Sequence, residues 1–392
     1  MIASVAGRGG ANERDMGSVA EFARPELQGL RACVPDWHGV RVKLDSNESP
    51  FDLPACIKEN ALRKLREIPF NRYPQGLAAK LRETIAFRDG VSETQVTLGN
   101  GLDEVIYIIL QAFGPGRKVI IQKPSFTTYT YAALSASADI RAVPLDEGLH
   151  LSTARLIEEA NAAESPCILI ICNPHNPTGG RFMEEDIVDV LEATNSMVIV
   201  DEAYVEFSGG SVLPLVAEYD RLIVLRTLSK AFGLAGVRVG YSVSSSEIAA
   251  ELDRVRQPFN LDSLALVVAQ TALENDSYCR EAVVRIVEER ERLLGRLGEI
   301  HGVTCFPSCT NFILFRTTMP DATMVRDALR RYGVSVRVFP DEPMLRGCLR
   351  VSCGTKEEDD AFLEALEKVL AEANQTSAGL RDDDGKRIEG GE

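Results

Sequence analysis

Four short apolar runs limit what this chain can fold into. "KVIIQ" (118–122), "CILIIC" (167–172), "MVIVD" (197–201) and "RLIVLR" (221–226) are rich in Val and Ile and show no polar alternation. A strand with one wet face alternates apolar and polar residues, so runs like these read as strands buried on both faces. Between them lie segments of helical periodicity, such as 183–193. Strand and helix in alternation predict βαβ units, hence an α/β fold with a mostly parallel sheet covered by helices.

At 392 residues the chain is long for one core, and its texture changes near residue 277. A charged amphipathic stretch (277–298) leads to "TNFILF" (310–315), a helix near 322–331, "VSVRVF" (334–339), "CLRVSC" (348–353) and a last helix over 356–373. The expected organisation is a large three-layer domain over 46–276 and a smaller α+β domain over 277–373. An N-terminal arm, 25–45, is expected to join the smaller domain. The polar ends, 1–24 and 374–392, read as disordered tails.

Composition removes several function classes. Net charge is −15 and no basic tract occurs, which argues against a nucleic-acid or anionic-membrane surface. No apolar run approaches the ~18 residues of a membrane span. The opening "MIASVAGRGGANERDMG" carries acids and no apolar core, so no secretory signal is expected. The nine cysteines form no C-x-x-C pair, and His38, His150, His175 and His301 are far apart. Reduced thiols in the cytoplasm and no metal site are the expectation.

The residues with chemical potential come directly after the strands, where open α/β sheets bind ligands. After 167–172 comes "NPHNPTGG" (173–180), a proline-kinked loop that is either a plain Asn-Pro turn or a mount aiming the Asn176 amide into a cleft. "DEAYVEF" (201–207) puts Asp201 at the end of an apolar strand. A carboxylate there needs a helix N-terminus, an ion pair or a cationic ligand, because burying it unpaired costs several kcal/mol. After 221–226 comes "TLSKAFGLAGVRVGY" (227–241), with Lys230 among apolar neighbours. Exposed, Lys230 is ordinary; desolvated, it is a nucleophilic amine. Amide, acid and amine at three successive strand ends favour the second reading.

Together these motifs resemble the fold-type I pyridoxal-phosphate aminotransferases, and more narrowly the histidinol-phosphate aminotransferase subfamily. The resemblance rests on "DSNESP" (45–50), "NRYPQG" (71–76), "NPHNPTG", "DEAYVEF", "RTLSKAFGLAGVRVGY", "RQPFN" (256–260) and "LRVSCGT" (349–355), and runs from about residue 25 to 373. It implies pyridoxal 5′-phosphate as cofactor, with Lys230 forming its Schiff base and then shuttling protons. It assigns Asp201 to the ring nitrogen, Asn176 and Tyr204 to the ring oxygen, and Tyr129 to stacking on the ring. Gly101, Leu102 and Asp103 in "GNGLDE" (99–104), otherwise a plain helix start, would cradle the phosphate with Thr227, Ser229 and Arg238. Tyr73 would reach the neighbouring subunit's cofactor, implying a homodimer with shared sites.

For substrates the resemblance implies glutamate/2-oxoglutarate and histidinol phosphate, gripped at their anions by Arg350 and Arg337, in a ping-pong reaction. Two departures from the family's frequent pattern, Ser49 in "NESP" and His175, are expected to leave the chemistry alone. An aromatic or other amino-acid aminotransferase and a threonine-phosphate decarboxylase stay open within the superfamily. From a different class, a non-catalytic aminotransferase-like sensor would usually carry an added DNA-binding domain, for which the ends look too short.

Overall fold

The computed structural model describes Phe22, Arg24, Pro25 and residues 38–384, with side chains to 373. Contacts divide the chain into Met1–Val34, of which only those three residues are described, and Pro35–Glu392, which holds every element named below. Apart from Phe22 and Arg24, the expected tail over 1–24 lies outside the described residues, as do most of the arm over 25–45 and residues 385–392.

A two-residue strand, β1 (Val42–Lys43), precedes helices α1 (Ala55–Leu65) and α2 (Leu77–Asp89). The central sheet is built from β2 (Val96–Asn100), β3 (Lys118–Lys123), β4 (Asp139–Pro144), β5 (Ile168–Cys172), β6 (Met197–Asp201), β7 (Leu222–Thr227) and β8 (Val239–Val243). Their spatial order is β2-β8-β7-β6-β5-β3-β4. Pairing is parallel from β4 through to β7, and antiparallel where β8 lies between β7 and β2. The four apolar runs are thus the inner strands of a mostly parallel sheet. Every residue of β5 and β7 is buried, as runs without polar alternation require.

Helices α3 (Gly101–Phe113), α4 (Thr127–Ser135), α5 (Thr153–Asn161) and α6 (Glu184–Ala193) connect these strands. After β8 come α7 (Ser246–Val255), α8 (Ser263–Leu273) and the long α9 (Ser277–Glu299). The rest is β9 (Val303–Cys305), β10 (Phe312–Thr317), α10 (Ala322–Arg331), β11 (Val334–Ser335), β12 (Arg337–Val338), β13 (Cys348–Ser352) and α11 (Lys356–Asp384). A second sheet has the order β12-β13-β10-β9, and β1 pairs in parallel with β11.

Two elements depart from the sequence-based expectation. The run "VSVRVF" is not one strand: β11 pairs with β1, whereas β12 crosses to β13, with the buried Val336 between them. That break brings Arg337 opposite Arg350. The last helix extends past 373 to Asp384, since "LAEANQTSAGLR" (370–381) holds Ala, Leu and Glu, which favour helix, and no Pro stops it before Gly385.

Candidate active site

Five loops meet at one end of the central sheet, at the carboxyl ends of β3, β5, β6 and β7 and the start of α3. They enclose a cavity lined by Leu102, Asp103, Tyr129, Asn176, Asp201, Tyr204, Thr227, Ser229, Lys230 and Arg238, all expected there. Phe126, Cys172 and Ala203 complete the lining. Gly101, Arg350, Arg337 and Tyr73 lie outside it, the first two in contact with lining residues.

Asp201 ends β6, where the strand's apolar register carries it inside. It is 2 % exposed, accepting from the Tyr129 hydroxyl and, at 2.9 Å, from the Ala203 N–H. Burial pushes its carboxyl up to about 6, and neither of these donors is a cation. Lys230 follows β7 and is half-buried, its Nζ donating to the Ser46 carbonyl at 3.0 Å and lying 5.9 Å from the Tyr204 ring centroid. Burial and, second, the Arg350 guanidinium bring the amine down to about 8. A sizeable fraction is therefore neutral, and nucleophilic, near neutral pH.

Two amide donors converge on the Tyr204 hydroxyl: Asn176 Nδ2 at 3.4 Å and Asn47 Nδ2 at 3.0 Å. The Asn176 amide is oriented by Arg350, whose Nη1 donates to its Oδ1 at 2.6 Å. Arg350 also donates to the Asp45 carbonyl at 2.9 Å, and its Nε is buried without an acceptor among the described residues. Burial lowers Arg350 to about 10. Across β12–β13 it faces Arg337, which is exposed and has no acidic partner among the described residues. Like charges opposite each other on a sheet are destabilising unless an anion lies between them.

At the far end, Gly101 opens α3 with φ +76°, and its N–H donates to the Arg238 carbonyl at 2.9 Å. A Cβ at this position would displace the Arg238 guanidinium from the helix start, and the positive φ itself favours glycine. Arg238 pairs with Asp103 at 2.9 Å and reaches Ser229 Oγ at 3.5 Å, while Thr227 Oγ1 accepts from the Ser229 N–H at 3.1 Å. Guanidinium, hydroxyls and the free N–H groups of a helix start make a cradle for a phosphate. The "RQPFN" motif braces it: Asn260 Nδ2 donates to Leu98 O at 3.1 Å and to Glu104 Oε2 at 2.7 Å.

Besides Ala203, the lining or contact residues Asn47, Cys172 and Phe126 were not among those expected from sequence. Asn47 opens "NESP", two residues before the departing Ser49, and touches Tyr204. Cys172 is the last residue of β5, in register with Asp201, and burial pushes its thiol up to about 12. Phe126 is half-buried on the wall where a stacking ring was expected. Tyr129 is fully buried and its hydroxyl is committed to Asp201, with Phe126 edge-on to it at 5.5 Å. The first aromatic after the strand, rather than the second, was the available signal. Tyr73 is 73 % exposed and stacks on Phe259 at 4.7 Å, away from this chain's own cavity. His175 is fully buried inside the "NPHNPTGG" loop, its Nδ1 2.8 Å from Thr178 Oγ1.

The family profile described as "Aminotransferase class I and II" matches residues 40–366. The chain belongs to this family. It is 37% identical over 354 residues to the histidinol-phosphate aminotransferase of Thermoanaerobacter sp. (strain X514), covering 90% of this chain and 99% of that protein. It is 39% identical over 329 residues to that of Thermococcus gammatolerans, covering 84% of this chain and 92% of the relative. Among solved structures, histidinol-phosphate aminotransferase from Sinorhizobium meliloti in complex with pyridoxal-5′-phosphate superposes with a TM-score of 0.81 at 24% identity, covering 91% of this chain and all of that one. As a class I and II aminotransferase the chain uses pyridoxal phosphate, and its residues fit that group. Phosphate cradle, amine and a buried carboxylate with no cationic partner among the described residues line one cavity, matching a phosphate, an aldehyde carbon and a ring nitrogen.

Proposed function

We propose that this chain is the pyridoxal-phosphate-dependent transaminase that exchanges an amino group between glutamate and imidazole-acetol phosphate, giving histidinol phosphate and 2-oxoglutarate in histidine biosynthesis. The observation that carries the substrate assignment is the arginine pair. Arg337 and Arg350 face each other with no acid between them among the described residues, beside the cavity that holds Lys230. Glutamate offers this pair a carboxylate on the reacting carbon. Histidinol phosphate has no carboxylate, but its phosphate is on the neighbouring carbon, so the pair serves both half-reactions.

Pyridoxal phosphate, when bound, supplies an electron-withdrawing ring that weakens the bond from the amino-bearing carbon to its hydrogen. Asp201 holds a proton at the ring nitrogen, its buried carboxylate gaining the cationic partner it lacks. Tyr204 and Asn176 donate to the ring oxygen, and Phe126, rather than Tyr129, covers a ring face and excludes water. Leu102 and Asp103 offer backbone N–H groups to the phosphate where Gly101 turns the chain into the helix, with Thr227, Ser229 and Arg238 around it. Lys230 Nζ, partly neutral at working pH, would take the proton from the reacting carbon and deliver it to the carbon that carries the cofactor's aldehyde, so that the amino group stays behind when the oxo acid leaves. Donor and acceptor use the same cavity in turn, which makes the reaction ping-pong.

The working unit is a homodimer. Tyr73 and Phe259, 73% and 53% exposed, present a stacked aromatic face to solvent, and in a dimer Tyr73 reaches the partner's site. The large domain spans 46–276 and the small one 277–373. The enzyme works in the cytoplasm, in keeping with eight described cysteines that are all free thiols.

The test is glutamate formation from 2-oxoglutarate with histidinol phosphate, phenylalanine or tyrosine as amino donor. Histidinol phosphate should give the highest kcat/KM, with the parallel double-reciprocal lines of a ping-pong reaction. A higher kcat/KM for an aromatic amino acid would overturn the substrate, and release of CO₂ would move the assignment to a decarboxylase.

A further inference from the structure

We infer that Asn47 is a positioning residue that dictates where the Tyr204 hydroxyl sends its proton. It lies in the stretch between β1 and α1, 1 % exposed and with φ +53°, a backbone region that Asn tolerates better than other side-chain-bearing residues. Its backbone and its side-chain oxygen are engaged away from the cavity. The N–H donates to Ser352 Oγ at 2.8 Å, the carbonyl accepts from Asn311 Nδ2 at 3.0 Å, and Oδ1 accepts from Ser352 Oγ at 3.3 Å. Those contacts leave only Nδ2 to act on the cavity, and it donates to the Tyr204 hydroxyl at 3.0 Å. The residues before it belong to the same strap: the Asp45 carbonyl takes Arg350, and the Ser46 carbonyl takes Lys230.

A phenol oxygen has two lone pairs and one proton. Asn47 and Asn176 fill both lone pairs with N–H donors. The Tyr204 proton then cannot be aimed at either amide and must point to another acceptor. Tyr204 lines the cavity, so the acceptor it finds there is what the cavity holds. With Asn176 alone, at the longer 3.4 Å, one lone pair stays free and the hydroxyl can rotate. Asn47 therefore converts an adaptable hydroxyl into a committed donor, held in place by Asn311, just before β10, and by Ser352, at the end of β13. The charged and titratable groups around Tyr204 are Arg350 from β13, Cys172 from β5, Asp201 from β6 and Lys230 after β7.

This inference rests on pyridoxal phosphate occupying the cavity, where the acceptor is the ring oxygen. A donor on that oxygen draws negative charge from the chromophore, which then gives up its proton at lower pH; a weakened donor raises that pH. The test is a pH titration of the visible absorbance of the cofactor-loaded protein, in wild type, Asn47→Gly, Tyr204→Phe and the double variant. Glycine keeps the positive φ and removes only the amide, so the strap stays in place. Asn47→Gly should raise the titration midpoint in the same direction as Tyr204→Phe and by less, and the double variant should shift no further than Tyr204→Phe. A cycle of this kind isolates the coupling. An unchanged midpoint in Asn47→Gly, or shifts that add in the double variant, would overturn the role of Asn47. Asn47→Asp provides an independent check: it turns the donor into an acceptor that competes for the Tyr204 proton, and should shift the midpoint at least as far as glycine. A smaller shift would likewise count against the role. Absence of any visible band in wild type would overturn the cofactor reading itself, and this inference with it.

Discussion

Asp201 and Glu202 are adjacent, equally buried carboxylates at the end of one strand, and the protein treats them in opposite ways. Glu202 accepts from Arg226 Nε at 2.8 Å, Ser211 Oγ at 2.8 Å and the Val212 N–H at 2.7 Å. Arg226 in turn donates to Ser211 Oγ at 2.8 Å and has Glu206 at 3.8 Å. That side of the sheet neutralises its own charge. Asp201, turned to the other face by the two-residue period of the strand, receives a phenol and one N–H and no cation. Burial raises both carboxyls, but only Glu202 has an arginine to oppose the rise. A buried ion cluster that closes on itself is architecture; a buried charge whose counterion must come from elsewhere marks a site.

The sharpest way to break the comparison is to remove the one amine facing the cavity. Lys230→Ala should lower transamination by at least about a thousandfold, measured in single-turnover assays, because no other lysine among the described residues lines the cavity. Next, Asp201 and Arg226 should separate activity from stability. Asp201→Asn should cost about a hundredfold or more in kcat, as a fixed charge opposite a developing one is lost. Its apoprotein should be no less stable at pH 8. The folded carboxyl titrates at about 6 against a reference of 3.8, so the apoprotein loses stability as pH rises from about 4 to 6. Above that it carries a penalty of about 3 kcal/mol that asparagine lacks. Arg226→Met should do the reverse, lowering stability by about 3–5 kcal/mol in urea melts by stranding Glu202, with the cofactor spectrum kept in the folded protein.

Smaller effects sharpen the picture. Arg337→Gln should raise KM for histidinol phosphate about tenfold with little change in kcat, the loss of one exposed charged hydrogen bond. Arg350→Gln should be worse, because it also releases Asn176. The smallest effect is at His175, whose ring burial pushes down to about 3. The unfolded chain binds a proton near 6.5 and the folded one does not, so stability is lost as pH falls below 6.5, by about 1.4 kcal/mol per pH unit. His175→Asn should flatten that slope between pH 6.5 and 5, read from urea midpoints.

The inner strands and the three residues at their ends were legible in the sequence because each depends on local pattern. An unbroken Val/Ile run has one buried solution, and a charged residue at its end has few tolerable partners. Other features depend on pairings between residues distant in sequence. Nothing local in "VSVRVF" says that Val334 follows β1 while Val338 follows β13, and only that break sets Arg337 opposite Arg350. Asn47 meets Tyr204 across 157 residues, and Arg350 meets Asn176 across 174. Phe126 and Tyr129 show a segment legible in the sequence whose individual rings were not. Both aromatics line the cavity, and the first turn of α4 is what carries the Tyr129 hydroxyl to Asp201 and leaves Phe126 on the wall.

The most direct measurement is the visible absorbance spectrum of the purified, pyridoxal-phosphate-loaded protein, recorded as histidinol phosphate and then 2-oxoglutarate are added. The band should fade with histidinol phosphate, return with 2-oxoglutarate, and be missing from Lys230→Ala. A band that glutamate bleaches but histidinol phosphate leaves untouched would contradict the assigned substrate, and a band that persists in Lys230→Ala would contradict the site.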